Sequence, residues 1–293
     1  MNQSKKNIVI VGAGRVGSSL GYALFKCGYR ISAVINKPYN LALKLGTKVA
    51  TEIVSDNLNN IPDIEKIIFL CVEDEKIGQV AEILSTMDNV TEKDIVVHTS
   101  GIINISSLKS LEIKGCKIGC FHPMQTFPEV TYSSKYFKNI YIGLEGSENI
   151  IQILKQIVCD LNCHPVVIKT NEKIPYHLGG VFASNYLVCL LYVVKKLYEK
   201  IGISEQTAIE ILKPIISRTL SNIQKKGTVD SLTGPIVRGD IVSVKKHLNY
   251  IEKNFSEIED LYIELSRVCI QIIKEKGDVN PDYVYQIEKV INR

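Results

Sequence analysis

The chain of 293 residues has no CxxC pair among its eight cysteines and no basic run longer than two lysines. The first absence argues against a zinc site, so we expect no bound metal. The second, with a net charge of only +4, argues against a nucleic-acid partner. Most cysteines stand in apolar runs, where this residue is a small core side chain. Unpaired, buried cysteines are typical of a reducing compartment, and we expect a cytoplasmic protein.

The chain also lacks a long hydrophobic run. Residues 1–6 lead directly into an apolar strand, so we expect no signal peptide. One uncharged apolar segment, residues 178–194, has 17 residues, whereas a membrane span needs about 20. We interpret it as a helix buried between protein layers, with no membrane partner. Its apolar surface exceeds what one small helical domain covers, which predicts a homodimer through the helical part.

Two different patterns divide the chain. Runs of β-branched residues predict strands at 7–11, 30–35, 66–72, 94–98, 117–121 and 166–169, with helices between several of them. Such alternation indicates a parallel, doubly wound sheet. Helical periodicity then predicts segments at 172–200, 204–225, 240–251, 253–276 and 281–292. We therefore expect an α/β Rossmann domain at 1–169, an all-α domain at 170–293, and a ligand cleft at their junction.

A glycine-rich turn follows the first predicted strand. Gly12, Gly14 and Gly17 form GAGRVG between a buried strand and a helix, which is the setting of a dinucleotide-binding loop. Gly12 would make the turn, Gly14 would admit the pyrophosphate, and Gly17 would let the helix pack on the strand. Arg15 and Val16 complete the loop, whose N–H groups attract phosphate. The alternative is a glycine-rich turn without a ligand.

The second strand ends without a carboxylate. An enzyme that uses NAD usually places Asp or Glu there to bind the ribose 2′-hydroxyl, whereas this chain has Asn36 and Lys37. An amide can hydrogen-bond the ribose and an ammonium can neutralise a 2′-phosphate. We therefore predict NADP(H) as the cofactor, unless Lys37 is an ordinary solvated lysine.

Small or polar residues follow three further strands. Val72 lies after the strand at 66–72, Ser100 and Gly101 belong to HTSG, and His122 belongs to FHPMQTF. Carboxyl ends of parallel strands meet at one edge of the sheet, where ligands bind. We expect Val72, Ser100 and Gly101 to lie beside the cofactor, and His122 to face a ligand. His98 is either a core histidine or a further site residue.

Six motifs together resemble one bacterial family: GAGRVGSSL, CVEDEKI, HTSG, FHPMQTF, HLGGVFASNYL and SLTGPIVRGD. Over nearly its whole length the chain resembles proteins in which a Rossmann-like domain precedes a domain of unknown function, DUF2520. These belong to the 6-phosphogluconate-dehydrogenase-like reductases, which implies an oxidoreductase with a helical C-terminal domain. Some resemble non-orthologous ketopantoate reductases of pantothenate biosynthesis. That implies NADPH-dependent reduction of a small 2-oxo acid, with 2-dehydropantoate the best single substrate.

The ketopantoate reductases also suggest catalytic residues. Their helical domain opens with a catalytic Lys and an Asn eight residues later; His177 and Asn185 have that spacing here, without a matching Glu. On an α-helix this spacing puts both side chains within about 80° of each other. FHPM resembles the HPM of prephenate dehydrogenases, which makes His122 the rival proton donor. Tyr176 and Tyr186 are expected in the core.

SLTGPIVRGD offers substrate-binding residues. Thr233 has a hydroxyl, and Arg238 has a guanidinium that matches a carboxylate bidentately. Asp240 would not bind an anion directly, and would cap the helix that follows or orient Arg238. Each candidate also has a structural alternative. His177 could be packed on the helix, Asn185 could bond only the neighbouring helix, and Arg238 and Asp240 could be an ion pair.

Three functions stay open at this point. The first is reduction of a 2-oxo acid. The second keeps the chemistry but changes the substrate to an imine, a hydroxy acid or a prephenate-like ring. F420 is then conceivable, because the N-terminal domain resembles that of F420-linked reductases. The third is an NADP(H) sensor without turnover. A sensor needs no polar cluster at the nicotinamide, so His122, His177 and Asn185 favour an enzyme.

Overall fold

The computed structural model describes residues 6–277 and 281–292, in two compact units that divide between Leu187 and Val188. The first unit is built on a sheet whose strands are β1 Asn7–Val11, β2 Ile31–Ile35, β3 Ile53–Ser55, β4 Lys66–Leu70, β5 Ile95–His98, β6 Lys117–Pro123, β7 Tyr141–Gly146 and β8 His164–Val167. Their spatial order is β3-β2-β1-β4-β5-β6-β7-β8. The first six are parallel and in the order of a doubly wound dinucleotide-binding sheet, which confirms the predicted Rossmann domain.

Helices cover both faces of this sheet: α1 Arg15–Lys26, α2 Tyr39–Lys48, α3 Ile77–Ser85, α4 Lys109–Lys114 and α5 Glu148–Asp160. Successive residues of a strand point to opposite faces. In β1, Ile8 and Ile10 therefore pack in the core under α1, α2 and α5, while Val9 and Val11 pack in the core under α3 and α4. Burial on both faces is why these strands are continuous apolar runs in the sequence.

Two strands lie where none was predicted. β3 has only three residues, and β7 has the sequence YIGLEG, with two glycines and a glutamate in place of a β-branched run. The sheet is mostly parallel, as predicted, and its one antiparallel pairing in the described residues is that of β7 with β6. β8 then runs parallel to β7 and corresponds to the predicted late strand.

Helices follow the last strand, as predicted. A long helix consists of α6 Lys173–Gly180, a π-helical segment Val181–Tyr186 and α7 Leu187–Glu199. The remaining helices are α8 Glu205–Ser231, α9 Ile241–Asn254, α10 Glu259–Lys276 and α11 Pro281–Ile291. The described part of the second unit contains no strand. The units divide within the long helix, later than the boundary expected after residue 169, because α6 packs against the sheet of the first unit through Lys173 and its neighbours.

The expectation that residues 178–194 form a buried helix is wrong. Ile174, Leu178, Phe182 and Tyr186 follow one another at four-residue intervals and are 65%, 45%, 61% and 46% exposed. Within the described ranges, Thr170–Glu199 is the one helix that could cross a membrane by length and composition, because a window of 18 residues within it has a mean hydropathy of 1.6. An apolar surface of this extent usually marks an interface.

Candidate cofactor and active site

The glycine loop has the geometry of a phosphate-binding turn. Gly12 has a φ of 98°, and a Cβ there would lie 2.5 Å from the carbonyl oxygen of Cys71. A Cβ on Gly17 would lie 1.8 Å from the oxygen of Gly12, so both positions require glycine. Around Gly14, in contrast, a Cβ would meet nothing within 4 Å. α1 starts at Arg15 without a side-chain cap or an acidic residue in its first turn, so its N–H groups face open space suited to an anion.

The side chain of Asn36 is already engaged in the protein. Its Oδ1 accepts a hydrogen bond from the Ala13 N–H at 2.7 Å, and its Nδ2 donates to the Pro38 oxygen at 2.7 Å. Asn36 therefore ties the end of β2 to the glycine loop, a role that the sequence did not suggest. Lys37 is exposed beside it, and its contact with the cofactor stays a prediction.

The other predicted cofactor residues lie near the same edge of the sheet. Arg15 is exposed at the start of α1 with Val16 half-buried after it, and Val72 is half-buried after β4. Ser100 is only 7% exposed, and its Oγ accepts hydrogen bonds from the N–H groups of Ile102 and Ile103, at 3.3 and 3.0 Å. That hydroxyl stabilises the turn after β5.

A cleft of about 490 Å³ lies between the end of β6 and the long helix. It brings together the three residues predicted to be catalytic, His122, His177 and Asn185. The rest of its lining is Pro123, Met124, Gln125, Thr126, Tyr176, Gly179, Gly180, Val181, Ala183 and Ser184. Within the described residues, this lining contains no Asp, Glu, Lys or Arg.

Gly101 lets the two histidines approach each other. The ring centroids of His122 and His177 are 6.0 Å apart. A Cβ on Gly101 would lie 2.6 Å from Cε1 and Nε2 of His122 and 2.6 Å from Cδ2 of His177. The glycine predicted to contact the cofactor thus also packs directly against both rings.

His122 is held in one tautomer by the backbone. Its Nδ1 lies 3.1 Å from the Thr99 carbonyl oxygen, which can only accept, so Nδ1 carries the hydrogen and Nε2 of the neutral ring is an acceptor. Burial lowers the pKa of His122, and the nearby His177 and Lys173 lower it further, against the Thr99 carbonyl and Asp74. The ring is therefore uncharged at neutral pH.

His98 proves to be a core histidine. Its ring is fully buried, and Nδ1 accepts a hydrogen bond from the Ser100 N–H at 3.2 Å. Burial lowers the pKa of His98 to about 3, with the charge of Lys173 as a smaller cause. His98 is therefore a core histidine, which is one of the two alternatives left open by the sequence, and not a further site residue.

The π-helical segment brings Asn185 onto the same side of the helix as His177. A π turn takes in about one residue more than an α turn, so one turn of each spans about eight residues. His177 lies in α6 and Asn185 lies in the segment Val181–Tyr186. The angle of about 80° expected for an unbroken α-helix is thereby reduced, and both side chains line the cleft.

A buried ion pair beside His122 was not predicted. Lys173 Nζ lies 3.2 Å from Glu145 Oε2, 3.1 Å from Cys120 Sγ and 3.3 Å from the Ser100 oxygen. The side chains of this pair are 4% and 6% exposed. The one available signal was the glutamate within an otherwise apolar strand.

Tyr176, expected in the core, lines the cleft, and its buried hydroxyl has no hydrogen-bond partner within the described ranges.

The predicted substrate-binding residues lie in the second unit. Asp240 caps α9, because its Oδ1 and Oδ2 accept hydrogen bonds from the N–H and Oγ of Ser243 at 3.0 and 2.7 Å. These bonds lower the pKa of Asp240. Capping was one of the two roles expected for it. Thr233 and Arg238 are exposed before α9, and their contact with substrate stays a prediction.

No group of three or more His, Cys, Asp or Glu residues in 6–277 or 281–292 is arranged to hold a metal ion.

Family models match both parts of the chain. The Rossmann-like domain matches residues 1–123, and the domain of unknown function DUF2520 matches residues 140–269. Among curated proteins, none matches.

Several solved structures have this fold. BF3122 from Bacteroides fragilis, an assigned NADP oxidoreductase, is 24% identical over 90% of this chain and 97% of its own, with a TM-score of 0.74. Protein TM1727 from Thermotoga maritima is 25% identical over 92% of this chain and 99% of its own, with a TM-score of 0.71. A reductive aminase from Aspergillus terreus, in complex with NADPH and ethyl-5-oxohexanoate, is 12% identical over 99% of this chain and 93% of its own, with a TM-score of 0.61.

Proposed function

We propose that this chain, a member of the family that joins a Rossmann-like domain to a DUF2520 domain, is an NADP(H)-dependent oxidoreductase that reduces a small 2-oxo acid. The observation that carries the proposal is the convergence of His122, His177 and Asn185 on one cleft at the carboxyl edge of the sheet. The resemblance to ketopantoate reductases makes 2-dehydropantoate the first substrate to test.

The glycine loop fits the cofactor. Gly14 leaves open the space that a pyrophosphate needs, and the uncapped start of α1 offers N–H groups to it. Lys37 would neutralise the 2′-phosphate of NADP(H). The B. fragilis protein carries the description NADP oxidoreductase, and the A. terreus protein is in complex with NADPH; both support the same choice. When bound, the cofactor supplies the hydride.

The polar groups of the cleft suit a carbonyl better than an iminium ion. Reduction of a carbonyl builds negative charge on its oxygen, which N–H donors such as those of His177 and Asn185 stabilise. An iminium ion would need an anionic partner, and the described lining of the cleft contains no carboxylate. Reduction of a ketone is therefore preferred over imine reduction.

The two histidines suit different tasks. His177 is the proposed proton donor to the developing alkoxide. The neutral His122 has its Nδ1 hydrogen bonded to Thr99 and presents an acceptor at Nε2. It is suited to hold a substrate hydroxyl, which 2-dehydropantoate carries, or to take the proton when the reaction runs towards oxidation. The substrate carboxylate needs a cation, and Arg238 stays our prediction for that partner.

The assembly proposed is a homodimer. Apolar side chains of the second unit are also exposed, among them Val188 at 66%, Ile209 at 55%, Ile215 at 63% and Leu220 at 55%. Leaving this much apolar surface in water is unfavourable at about 25 cal/mol per Å². A second copy would cover it with an interface of roughly 2,000 Å² or more in total.

A panel of 2-oxo acids, followed by loss of NADPH absorbance, tests the function. His177→Gln should lower kcat roughly 10²–10⁴-fold, the usual contribution of a general acid, and leave NADPH affinity unchanged. His177→Lys restores the residue type of the ketopantoate reductases and should keep part of the activity. His164→Gln, at an exposed position on β8, is the matched control.

Three outcomes would contradict this proposal. If His122→Gln abolishes turnover and His177→Gln does not, the roles of the histidines are reversed. If neither variant changes kcat, the donor is another group. If the protein binds NADPH tightly but oxidises it with no compound of the panel, the sensor is favoured over the reductase.

A further inference from the structure

The long helix meets the sheet at two matched points. Lys173 and His177 are one turn apart on α6, and Cys120 and His122 are two residues apart on β6, so each pair shares a face. The two residues on α6 are separated by about 6 Å along the helix axis, and the two residues on β6 by about 6.6 Å along the strand, so the two spacings match. Lys173 Nζ lies 3.1 Å from Cys120 Sγ, and the His177 and His122 ring centroids lie 6.0 Å apart. The first contact therefore sets the register of the second.

The neighbouring strand holds the lysine in place. Glu145 on β7 is the register partner of Cys120 on β6, and its Oε2 lies 3.2 Å from Lys173 Nζ. Its other oxygen accepts a hydrogen bond from Thr170 Oγ1 at 2.7 Å. Removing one partner of a buried pair leaves an uncompensated charge, which costs several kcal/mol. The side chains of Lys173 and Glu145 are therefore held at this position.

Lys173 does not line the 490 Å³ cleft, whereas His122 does. Both border a smaller adjoining space, and the lysine charge disfavours a second positive charge on that ring. The titratable groups around His122 are Lys173, Tyr176 and His177 on α6, Cys120 on β6, Glu145 on β7, His98 on β5 and Asp74 after β4.

From these contacts we propose that Lys173, anchored by Glu145, is a positioning residue that locks α6 in register with β6 and holds its ammonium charge beside the acceptor ring of His122. The inference deepens the proposed function and rests on it for the role of His122 in the cleft. It assigns a task to a buried cation that does not line the cleft.

The test compares two double variants that each remove a buried ion pair. Lys173→Met with Glu145→Gln removes both charges and keeps an acceptor for Thr170. The matched control is Lys66→Met with Asp94→Asn, which removes a second buried ion pair. Lys66 lies at the start of β4 and Asp94 just before β5, with Lys66 Nζ 2.9 Å from Asp94 Oδ2 and each side chain 1% exposed. The midpoint of His122 protonation is measured by NMR titration of its ring proton, assigned with His122→Gln.

We expect the midpoint of His122 to rise in the first double variant, because the lysine charge that disfavours protonation of the ring is lost, and to stay unchanged in the control. The acidic limb of the kcat profile should move in the same direction. Lys173→Arg, which keeps the charge, should titrate close to the parent. Should the double variant not fold, Lys173→Gln alone serves, because losing the cation raises the midpoint whether Glu145 stays charged or takes up a proton.

An unchanged His122 midpoint in a folded Lys173 variant overturns the proposal and leaves the lysine a purely structural role. The titration needs neither substrate nor NADPH. A parent protein without reductase activity would therefore count against the proposed function alone, and the NMR result would still decide the role of Lys173.

Discussion

Gly101 offers a direct test of the active site, because one added methyl group would separate the two histidines. In Gly101→Ala the new Cβ would lie 2.6 Å from His122 Cε1 and Nε2 and 2.6 Å from His177 Cδ2. Carbon atoms in contact normally lie about 3.5–4.0 Å apart, so the rings must move by about 1 Å. The clashing atoms are the ends of side chains, and the backbone can stay where it is.

The expected effect is therefore on catalysis more than on stability. A displacement of about 1 Å at a reacting group can cost about 10²-fold in rate. Overpacking of this kind costs about 1–3 kcal/mol, and because the ring ends can yield we expect the lower end of that range. Because Gly101 is also predicted to lie beside the cofactor, NADPH affinity is measured together with kcat, and a loss larger in kcat than in NADPH affinity is the result expected for displaced histidines.

The assay measures kcat with the best substrate of the 2-oxo acid panel, NADPH affinity by fluorescence, and unfolding by urea. Gly179→Ala is the matched control, because Gly179 lines the same cleft and a Cβ there would meet nothing within 4 Å. Parent-like turnover in a folded Gly101→Ala protein would refute the reasoning that the close approach of the two rings matters. Equal losses in both variants would refute it as well.

Three further predictions follow from other parts of the molecule. Lys37→Ala should weaken NADPH binding and leave NADH binding nearly unchanged, with the exposed Lys44→Ala as control; equal affinity of the parent for both cofactors would overturn this. Phe182→Lys, at a position that is 61% exposed, should shift the dimer towards monomer in light scattering. Ile113→Lys, at a position that is 77% exposed, is the control and should leave the dimer intact. A parent protein that is monomeric at micromolar concentration would contradict the dimer. The pKa of His98 is lowered from 6.5 to about 3, so the unfolded chain binds more protons between these values. Folding stability should therefore fall as pH drops below about 6.5, and His98→Asn should flatten that fall in urea unfolding; an unaltered pH dependence would contradict it.

The sequence by itself determined the dinucleotide-binding part of the protein, because the signals for that part are local. Gly12 and Gly17 are required by contacts with backbone atoms of the same turn and of the adjoining strand. The largely buried strands β1 to β6, apart from the short β3, are mostly apolar runs because helices cover both of their faces. The helix cap at Asp240 and the position of His122 at a strand end were predictable for the same reason.

Only the tertiary structure decided which side chains meet. Lys173, Glu145 and Cys120 are far apart in the chain, and a lysine at the start of a helix looks solvated until the sheet buries it. The turn of Asn185 towards His177 depends on a π-helical segment that helical periodicity does not reveal. The absence of charge in a segment also does not show which surface packs against it. The apolar face at residues 178–194 stays exposed within one chain because burial depends on what packs against a helix as well as on its composition.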